Sequence, residues 1–536
     1  MAAFENKSLY QYEYQRSPDQ DAKVPVRHPV VVIGAGPIGL AVAIDLAQRD
    51  VPVVLLDDNS RIGEGSRAIC FSKRALEVCD KLGVAERMVE KGVTWQVGKV
   101  FLEDDEVYTF DLLPEPGHKQ PAFINLQQYY VEAYLVDRVL ELPRAEVRWL
   151  NKVSAVEHLE DGARITVDTP DGPYQMDTDW LIACDGANSD IRAMMGLDFS
   201  GKVFQDRFLI ADVKMNAGFP SERWFWFEPP FHKGWSALLH KQPDDIWRID
   251  LQLGPDADAD EETKPENVIP RLKKMLGDDV EFDLEWVSLY TFQCKRMDEF
   301  MQGRVVFAGD AAHQVSPFGA RGANSGFEDA QNLAWKLEAI IKGRTGADLM
   351  QSYRFERELA ADDNIGHSTR ATDFISPKST IARTFRNATL NLAQRAPFAQ
   401  SMVNSGRLST PSIYLNSPLH IPDNTVYEGT AQLGAAAVDA PLQTSEGTAT
   451  WLLDELGPGF TAIAVANGDV PDEVHGIDLH VIGHDLLDSE GLFAQRYDAR
   501  PGSVYLFRPD QYLCARFRSF DAGAIKIACE HAMKSA

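Results

Sequence analysis

The chain has 536 residues, 44% hydrophobic and 25% charged, which excludes disorder for most of its length and, at about 150 residues per domain, predicts three or four domains. Lysine and arginine number 53 against 80 aspartates and glutamates, and a net charge of −27 excludes nucleic-acid and membrane-surface roles while permitting a local basic pocket. The six cysteines, Cys70, Cys79, Cys184, Cys294, Cys514 and Cys529, show no C-x-x-C and no metal-ligand spacing, so they read as thiols in a reducing cytoplasm and no metal is expected.

In chain order, residues 1–28 form a polar arm without periodicity, unlike a signal peptide. The most apolar run, Val30 to Ile44, is too short to span a bilayer and carries three glycines and a proline. A cytoplasmic protein without a membrane partner is therefore expected. From Pro29 the segments PVVVI, GAGPIG, LAVAIDLAQRD and VPVVLLD read as strand, glycine turn, helix and strand, a βαβ unit. Residues 201–295 differ in kind: ERWFWFEPPF, GWSALLHK and DIWRIDLQL alternate and are rich in aromatics, which predicts antiparallel strands. GRVVFAGD and a helical pattern from Asn324 to about Ile341 then resume the nucleotide-binding pattern. The expected architecture is α/β, with a nucleotide-binding domain over 29–200 and 296–365 split by a sheet domain over 201–295. A helical connector over 366–425 and a further small α/β domain over 426–536 follow.

Gly34-Ala35-Gly36-Pro37-Ile38-Gly39 is a G-x-G-x-x-G between strand and helix. Its first glycine makes the turn, the second admits a pyrophosphate and the third lets helix and strand pack closely, while the helix N-terminus offers free N–H groups. Asp57, 18 residues after Gly39, ends the second strand where a carboxylate can accept ribose hydroxyls. A second fingerprint is missing, since Gly457-Pro458-Gly459 does not complete the motif and follows no strand. A second nucleotide must then bind transiently, or a partner must deliver electrons.

Two more segments complete the pattern. Cys184-Asp185-Gly186 follows the strand-like DWLIA, and Gly303–His313, with Gly309-Asp310, runs through Pro317 to a helix start at Gly322-Ala323-Asn324. In this order and spacing the motifs resemble the single-component (group A) FAD-dependent aromatic hydroxylases, relatives of the 4-hydroxybenzoate, phenol, pentachlorophenol and 3-(3-hydroxyphenyl)propionate hydroxylases, over about residues 29–365. The resemblance implies a Rossmann-like FAD-binding domain, an inserted antiparallel substrate domain and a thioredoxin-like C-terminal domain. It implies that Gly34, Gly36, Pro37, Ile38 and Gly39 hold the pyrophosphate and Asp57 the adenosine ribose. Arg67 would lie beside the flavin, Gln128, four residues before Glu132, would reach the FAD, and Asp185 would touch both FAD and the passing nicotinamide nucleotide. Gly309 and Asp310 would hold the ribityl chain, and Pro317 would flank flavin and substrate. Where many members read G-Q-G-x-N, this chain reads Ala320-Arg321-Gly322-Ala323-Asn324. The N–H groups of that loop can still face the flavin edge where negative charge develops, and Arg321 either adds a cation there or points to solvent. The C-terminal domain lacks C-x-x-C, which excludes dithiol chemistry and leaves interface and stability as its role.

The activity so implied is hydroxylation of a phenolic ring with NADH or NADPH and O2, through a flavin C4a-hydroperoxide, in a homodimer. Baeyer–Villiger or epoxidising oxygenation of a polyketide-like ketone is the alternative. A non-enzymatic binding protein on a flavoprotein fold is disfavoured by the complete set of cofactor motifs. Trp224-Phe225-Trp226-Phe227-Glu228-Pro229 approaches the W-x-W-x-I-P of flavin-dependent halogenases, but Glu228 replaces the isoleucine and one face of a sheet explains the alternation. Trp226, Trp235, Trp247, Tyr290 and Pro317 are candidates for the substrate pocket, weighed for each tryptophan and the tyrosine against ordinary core packing. His240, Tyr290 and Arg321 are the catalytic candidates, whereas His313 reads as a helix-start histidine bonded to backbone and Arg248 as a strand-surface arginine. No general base is assigned.

Overall fold

The computed structural model describes residues 10–63, 67–403, 408–468, 474 and 476–534, so residues 1–9 of the polar arm lie outside it. Val30–Ile33 are buried on both faces because the strand Val26–Ile33 lies inside a parallel sheet. It is flanked by Tyr174–Ala183 and Val53–Asp57, with Val305–Phe307 and Ala145–Trp149 beyond them, all parallel. Val305–Phe307 returns from late in the chain to pair with Leu181–Ala183, so one nucleotide-binding sheet is assembled from distant segments. The first strand begins at Val26 and runs through Pro29. The pairing with Tyr174–Ala183 skips Pro29, which has no N–H to donate, and pairing with Val53–Asp57 starts only at Val30.

A second sheet carries, in order, His313–Gln314, Asp283–Arg296, Ser200–Lys214, Ile246–Leu253, Ser236–Lys241, Arg223–Phe227, Val97–Leu102 and Asp105–Asp111. It is antiparallel except where Arg223–Phe227 runs parallel to Val97–Leu102. The hairpin at 97–111 thus joins this sheet from outside the span 201–295, a pairing between segments too distant for local patterning to reveal. One face packs Leu209, Ala211, Leu239, Trp247 and Ile249 against Val268 and Leu272 of the helix Pro265–Leu276. The other face packs Phe208, Phe225, Phe227, Leu238 and Phe292 against Phe318, Ile375 and Leu390.

Two long helices, Gly322–Ile341 and Met350–Ile375, follow, and the first is buried along most of its length. After the shorter helices Thr380–Ala393 and Pro397–Val403, the chain builds a seven-stranded mixed sheet over 441–517, closed by the helix Ala522–Met533 in a thioredoxin-like arrangement. Among the described residues no helix is long and apolar enough to cross a membrane.

Candidate functional site

The glycine turn shows how backbone sterics make room for a phosphate. Gly34 has φ +99°, and a Cβ there would lie 2.6 Å from the carbonyl oxygen of Cys184 on the neighbouring strand. A Cβ on Gly39 would collide with the Gly34 carbonyl, so helix and turn touch. Gly36 has nothing within 4 Å of where its Cβ would stand. It caps the helix Pro37–Gln48 without a side-chain bond, leaving N–H groups aimed at that open space. Asp57 accepts the Ala35 N–H at 2.6 Å and the Asn59 N–H at 2.8 Å, which ties the second strand to the turn.

At the other end, Gly309–Ala311 form a short turn in front of the helix Gly322–Ile341. The Asp310 carboxylate makes no hydrogen bond with any described residue. Its side chain is solvent-accessible yet surrounded by protein, as on the floor of a cleft. Burial raises its pKa against the lowering charges of His313 and Arg67. A Cβ on Gly322 would stand 4.0 Å from Asp310 Oδ1, so an unpartnered carboxylate faces the start of a long helix. Ile38 packs against both Gly309 and Gly326, bringing the two helix N-termini to one place.

Around this cleft, Arg67 is exposed beside Asp310 and Tyr290. The Arg67 loop is held by Gln128 Oε1, which accepts the Ala68 N–H at 3.1 Å, and Gln128 donates to Glu132 Oε1 at 2.7 Å. Asp185 accepts from Ser189 Oγ at 2.7 Å and Ile191 N at 3.0 Å. Gln314 and Arg192 both donate to the Ala187 carbonyl, and Arg192 also donates to that of Ala311, stitching the Asp185-Gly186 loop to the Asp310 loop. Asn324 receives the Ser72 N–H at 2.9 Å and donates to the Cys70 carbonyl, tying the helix start to the strand Cys70–Ser72. Pro317 is exposed and precedes Phe318, which is buried among Phe208, Phe225 and Phe292. An open glycine turn and a carboxylate without a protein partner, on helix starts that Ile38 brings together, fit a dinucleotide such as FAD.

Several candidates fall elsewhere than expected. Arg321 points neither to solvent nor freely at the cleft: it is buried and donates to Asn364 Oδ1 at 2.8 Å. His313 is bonded through Nε2 to the Asp329 side chain at 2.7 Å, not to backbone. Asp329 also takes Gly309 N–H and Arg357, and although burial alone would raise its pKa, His313 and Arg357 hold it down to about 2. Arg248 is buried, not superficial, and reaches Asp212 through two bonds of 2.8 and 2.7 Å. Strand parity puts Trp226 on the face that packs against the helix Pro265–Leu276, where it stacks on Phe101 at 5.2 Å, and Trp247 is buried on that face too. Trp235 rests against Gly254 in the turn region.

On the opposite face, Tyr290 is 40% exposed within reach of Asp310 and Arg67. His240 is buried beside the Trp95 ring, and burial, Arg223 and Arg248 push its pKa well below the usual value, so it is neutral. Sequence reasoning missed its neighbours Arg223, Asp250 and Tyr108. The available signal was parity: Arg223 alternates in phase with buried Phe225 and Phe227, and Asp250 in phase with Arg248 and Gln252.

A family model described as "FAD binding domain" matches residues 27–368. The chain is 28% identical over 510 residues to 12-dehydrotetracycline 5-monooxygenase/anhydrotetracycline 6-monooxygenase of Streptomyces rimosus subsp. rimosus, covering 91% of this chain and 95% of that protein. It is 25% identical over 508 residues to 3-(3-hydroxy-phenyl)propionate/3-hydroxycinnamic acid hydroxylase of Mycobacterium sp. (strain KMS), covering 90% and 87%. Among solved structures, the flavin-dependent monooxygenase PieE with FAD and substrate superposes with a TM-score of 0.79 at 22% identity, covering 95% of this chain and 99% of that one. Aklavinone-11 hydroxylase with FAD and aklavinone gives 0.75 at 20% identity, covering 94% and 99%.

Proposed function

The chain belongs to the FAD binding domain family and is an FAD-dependent monooxygenase, and we propose that it hydroxylates a phenolic aromatic ring with NADH or NADPH as reductant. FAD supplies the ring that accepts reducing equivalents and activates oxygen. The residues of this chain bind and orient it. Gly34, Gly36, Pro37, Ile38 and Gly39 receive the pyrophosphate, Asp57 the adenosine ribose, and Asp310 the ribityl hydroxyls. Gly309, Gly322, Ala323 and Asn324 form the backbone beside the ring, and Arg67, Gln128, Asp185 and Pro317 line it. Tyr290 and Pro317 border the substrate, and the aromatic face around Phe208, Phe225 and Phe292 keeps water from the reacting atoms.

The observation that carries this reading is the solvent-accessible Asp310 carboxylate, which has no protein partner among the described residues and faces the start of a long helix, where its oxygens are open to the hydroxyls of a ligand. Asp310→Ala should purify with less than about a tenth of wild-type flavin, read from visible absorbance, and Asp310→Asn should keep part of it. Full flavin occupancy with unchanged turnover in Asp310→Ala would remove Asp310 from the site. The phenolic substrate draws support from the relative named for a 3-hydroxyphenyl compound. The six free thiols support a cytoplasmic location. A homodimer is supported by exposed Ile381, Phe385, Phe398 and Met402 on adjacent helices, and sedimentation of a monomer at micromolar concentration would refute it.

A further inference from the structure

The sheet face opposite Trp226 carries a set of polar groups that the fold leaves unsatisfied. Arg223 is only 7% exposed, and its guanidinium, 5.7 Å over the Phe225 ring, makes no hydrogen bond or ion pair with any described residue. His240 Nδ1, Asp250 Oδ1 and the Tyr108 hydroxyl are buried without a partner. These groups lie on neighbouring strands. Trp224 pairs with Leu239, which sets Arg223 beside His240, while Leu238 pairs with Asp250 and Val100 with Tyr108. They also share one electrostatic neighbourhood, since Arg223 acts on Tyr108, His240, Asp250 and Cys70. Cys70 stands three residues beyond Arg67, on the strand that Asn324 ties to the flavin-side helix.

Arg248 does not need Asp250 as a counterion, because Asp212 satisfies it with two bonds. Arg223 and Asp250 also do not close on each other as an ion pair, and the Asp250 carboxylate makes no hydrogen bond with any described residue. A buried guanidinium and a carboxylate held apart, each with bonding capacity unused, are costly to a fold unless a ligand joins them.

We propose that Arg223 and Asp250 form a subsite for an ionisable hydroxyl of the aromatic substrate, Asp250 accepting its proton and Arg223 holding the oxygen that keeps the electron pair. This deepens the phenolic reading above and rests on it. The substrate O–H bond breaks and an Asp250 O–H bond forms. The electron pair stays on the ring oxygen facing Arg223, so the subsite's net charge is unchanged and no further reactant is required. The ionised ring is the more nucleophilic one, which oxygen transfer needs.

The groups facing Asp250 single it out as the acceptor. Arg248 on its own strand is paired with Asp212, and Asp212 also accepts from Gln242. The Cys70 thiol is pushed up to about 12 by burial, and burial raises the Tyr108 hydroxyl beyond its ordinary range. His240 is neutral beside two guanidinium groups. Burial raises Asp250 to about 7, with Asp212 adding to the rise and the two arginines opposing it. A pre-ionised carboxylate would fit worse than a hydroxyl, because it would meet the Asp250 charge as well as Arg223.

The test uses FAD-loaded enzyme and 2-naphthol, phenol and resorcinol as probes, with ionisation of the bound probe read from absorbance difference spectra between about pH 5 and 9. The wild type should bind the probe as its anion far below the pKa of the free phenol, with the anion signal rising through about pH 7 as Asp250 loses its proton. Asp250→Asn should bind the probe in neutral form across the range, and Asp250→Glu should restore the anion signal. Arg223→Met should bind at least about tenfold more weakly, with Arg223→Lys intermediate. Flavin absorbance and circular dichroism verify that each variant is folded. An unchanged anion signal and pH profile in Asp250→Asn, or unchanged affinity in Arg223→Met, would overturn the subsite while leaving the phenolic reading intact. A wild-type enzyme that binds no phenol would overturn the phenolic reading and the subsite with it.

Discussion

At the residue scale, the glycine turn separates two roles that one motif combines. Gly39→Ala sets a Cβ against the Gly34 carbonyl and should cost about 1–3 kcal/mol of stability. Gly36→Ala meets only open space, so its thermal midpoint without FAD should match wild type while its FAD affinity falls. Equal loss of stability in both variants, measured by thermal unfolding of flavin-free protein, would contradict this division. Asp329 gives a pH prediction. Its folded pKa of about 2 lies below the ordinary value of 3.8, so its stabilisation is complete above that ordinary value and is lost as pH falls toward 2. Its contribution is roughly 2 kcal/mol. Asp329→Asn should therefore flatten the acid limb of unfolding, and an unchanged limb would assign that limb elsewhere. These residues also show what a linear reading can reach. The strand, glycine turn and helix over Gly34–Gly39 were legible because close approach of turn, helix and neighbouring strand demands glycine at short spacing. His313 and Arg321 were not, because their partners Asp329 and Asn364 sit on helices whose packing decides who meets whom.

At the scale of elements, strand parity governs the substrate face. Alternation over Arg223–Phe227 was plain in the sequence, but which parity faces the cleft depends on the helix Pro265–Leu276 covering the other side. A tryptophan is the natural guess for an aromatic pocket and an arginine for a surface, yet Trp226 lies on the helix-covered face and Arg223 is buried on the other. Trp226→Ala should lower stability by about 2 kcal/mol, less than a fully buried tryptophan costs, without changing KM for the phenol. A raised KM at unchanged stability would return Trp226 to the pocket. The pairing of Arg223–Phe227 with Val97–Leu102 was illegible for a related reason, since parallel neighbours leave no turn signal between them.

At the scale of the whole molecule, the C-terminal domain is bound to the FAD-binding domain through buried charge. Arg508 reaches Glu356 at 2.5 and 3.1 Å, Lys336 reaches the same carboxylate at 2.9 Å, and Arg74 bonds Gln511 and the Asp510 carbonyl at 3.0 and 2.9 Å. Glu356 is held well below the usual carboxylate range, its burial outweighed by Arg508 and Lys336. Removing it strands Lys336 and leaves Arg508 with Asp510 alone, so Glu356→Ala should cost about 3–5 kcal/mol and uncouple the two domains in calorimetry. One cooperative transition near the wild-type midpoint would show that the network does not join them. This coupling runs through the helices Gly322–Ile341 and Met350–Ile375, the first of which begins beside Asp310.

The central claim, an FAD-dependent monooxygenase acting on a phenol, is tested most directly by NADH and NADPH oxidation in the purified yellow enzyme, with oxygen uptake and product analysis, across a panel of phenols and polycyclic phenols. The account predicts that one class of phenol accelerates nucleotide oxidation, consumes oxygen and emerges with one added ring hydroxyl. Bound flavin with no acceleration by any phenol, or a ketone converted to an ester, would contradict it.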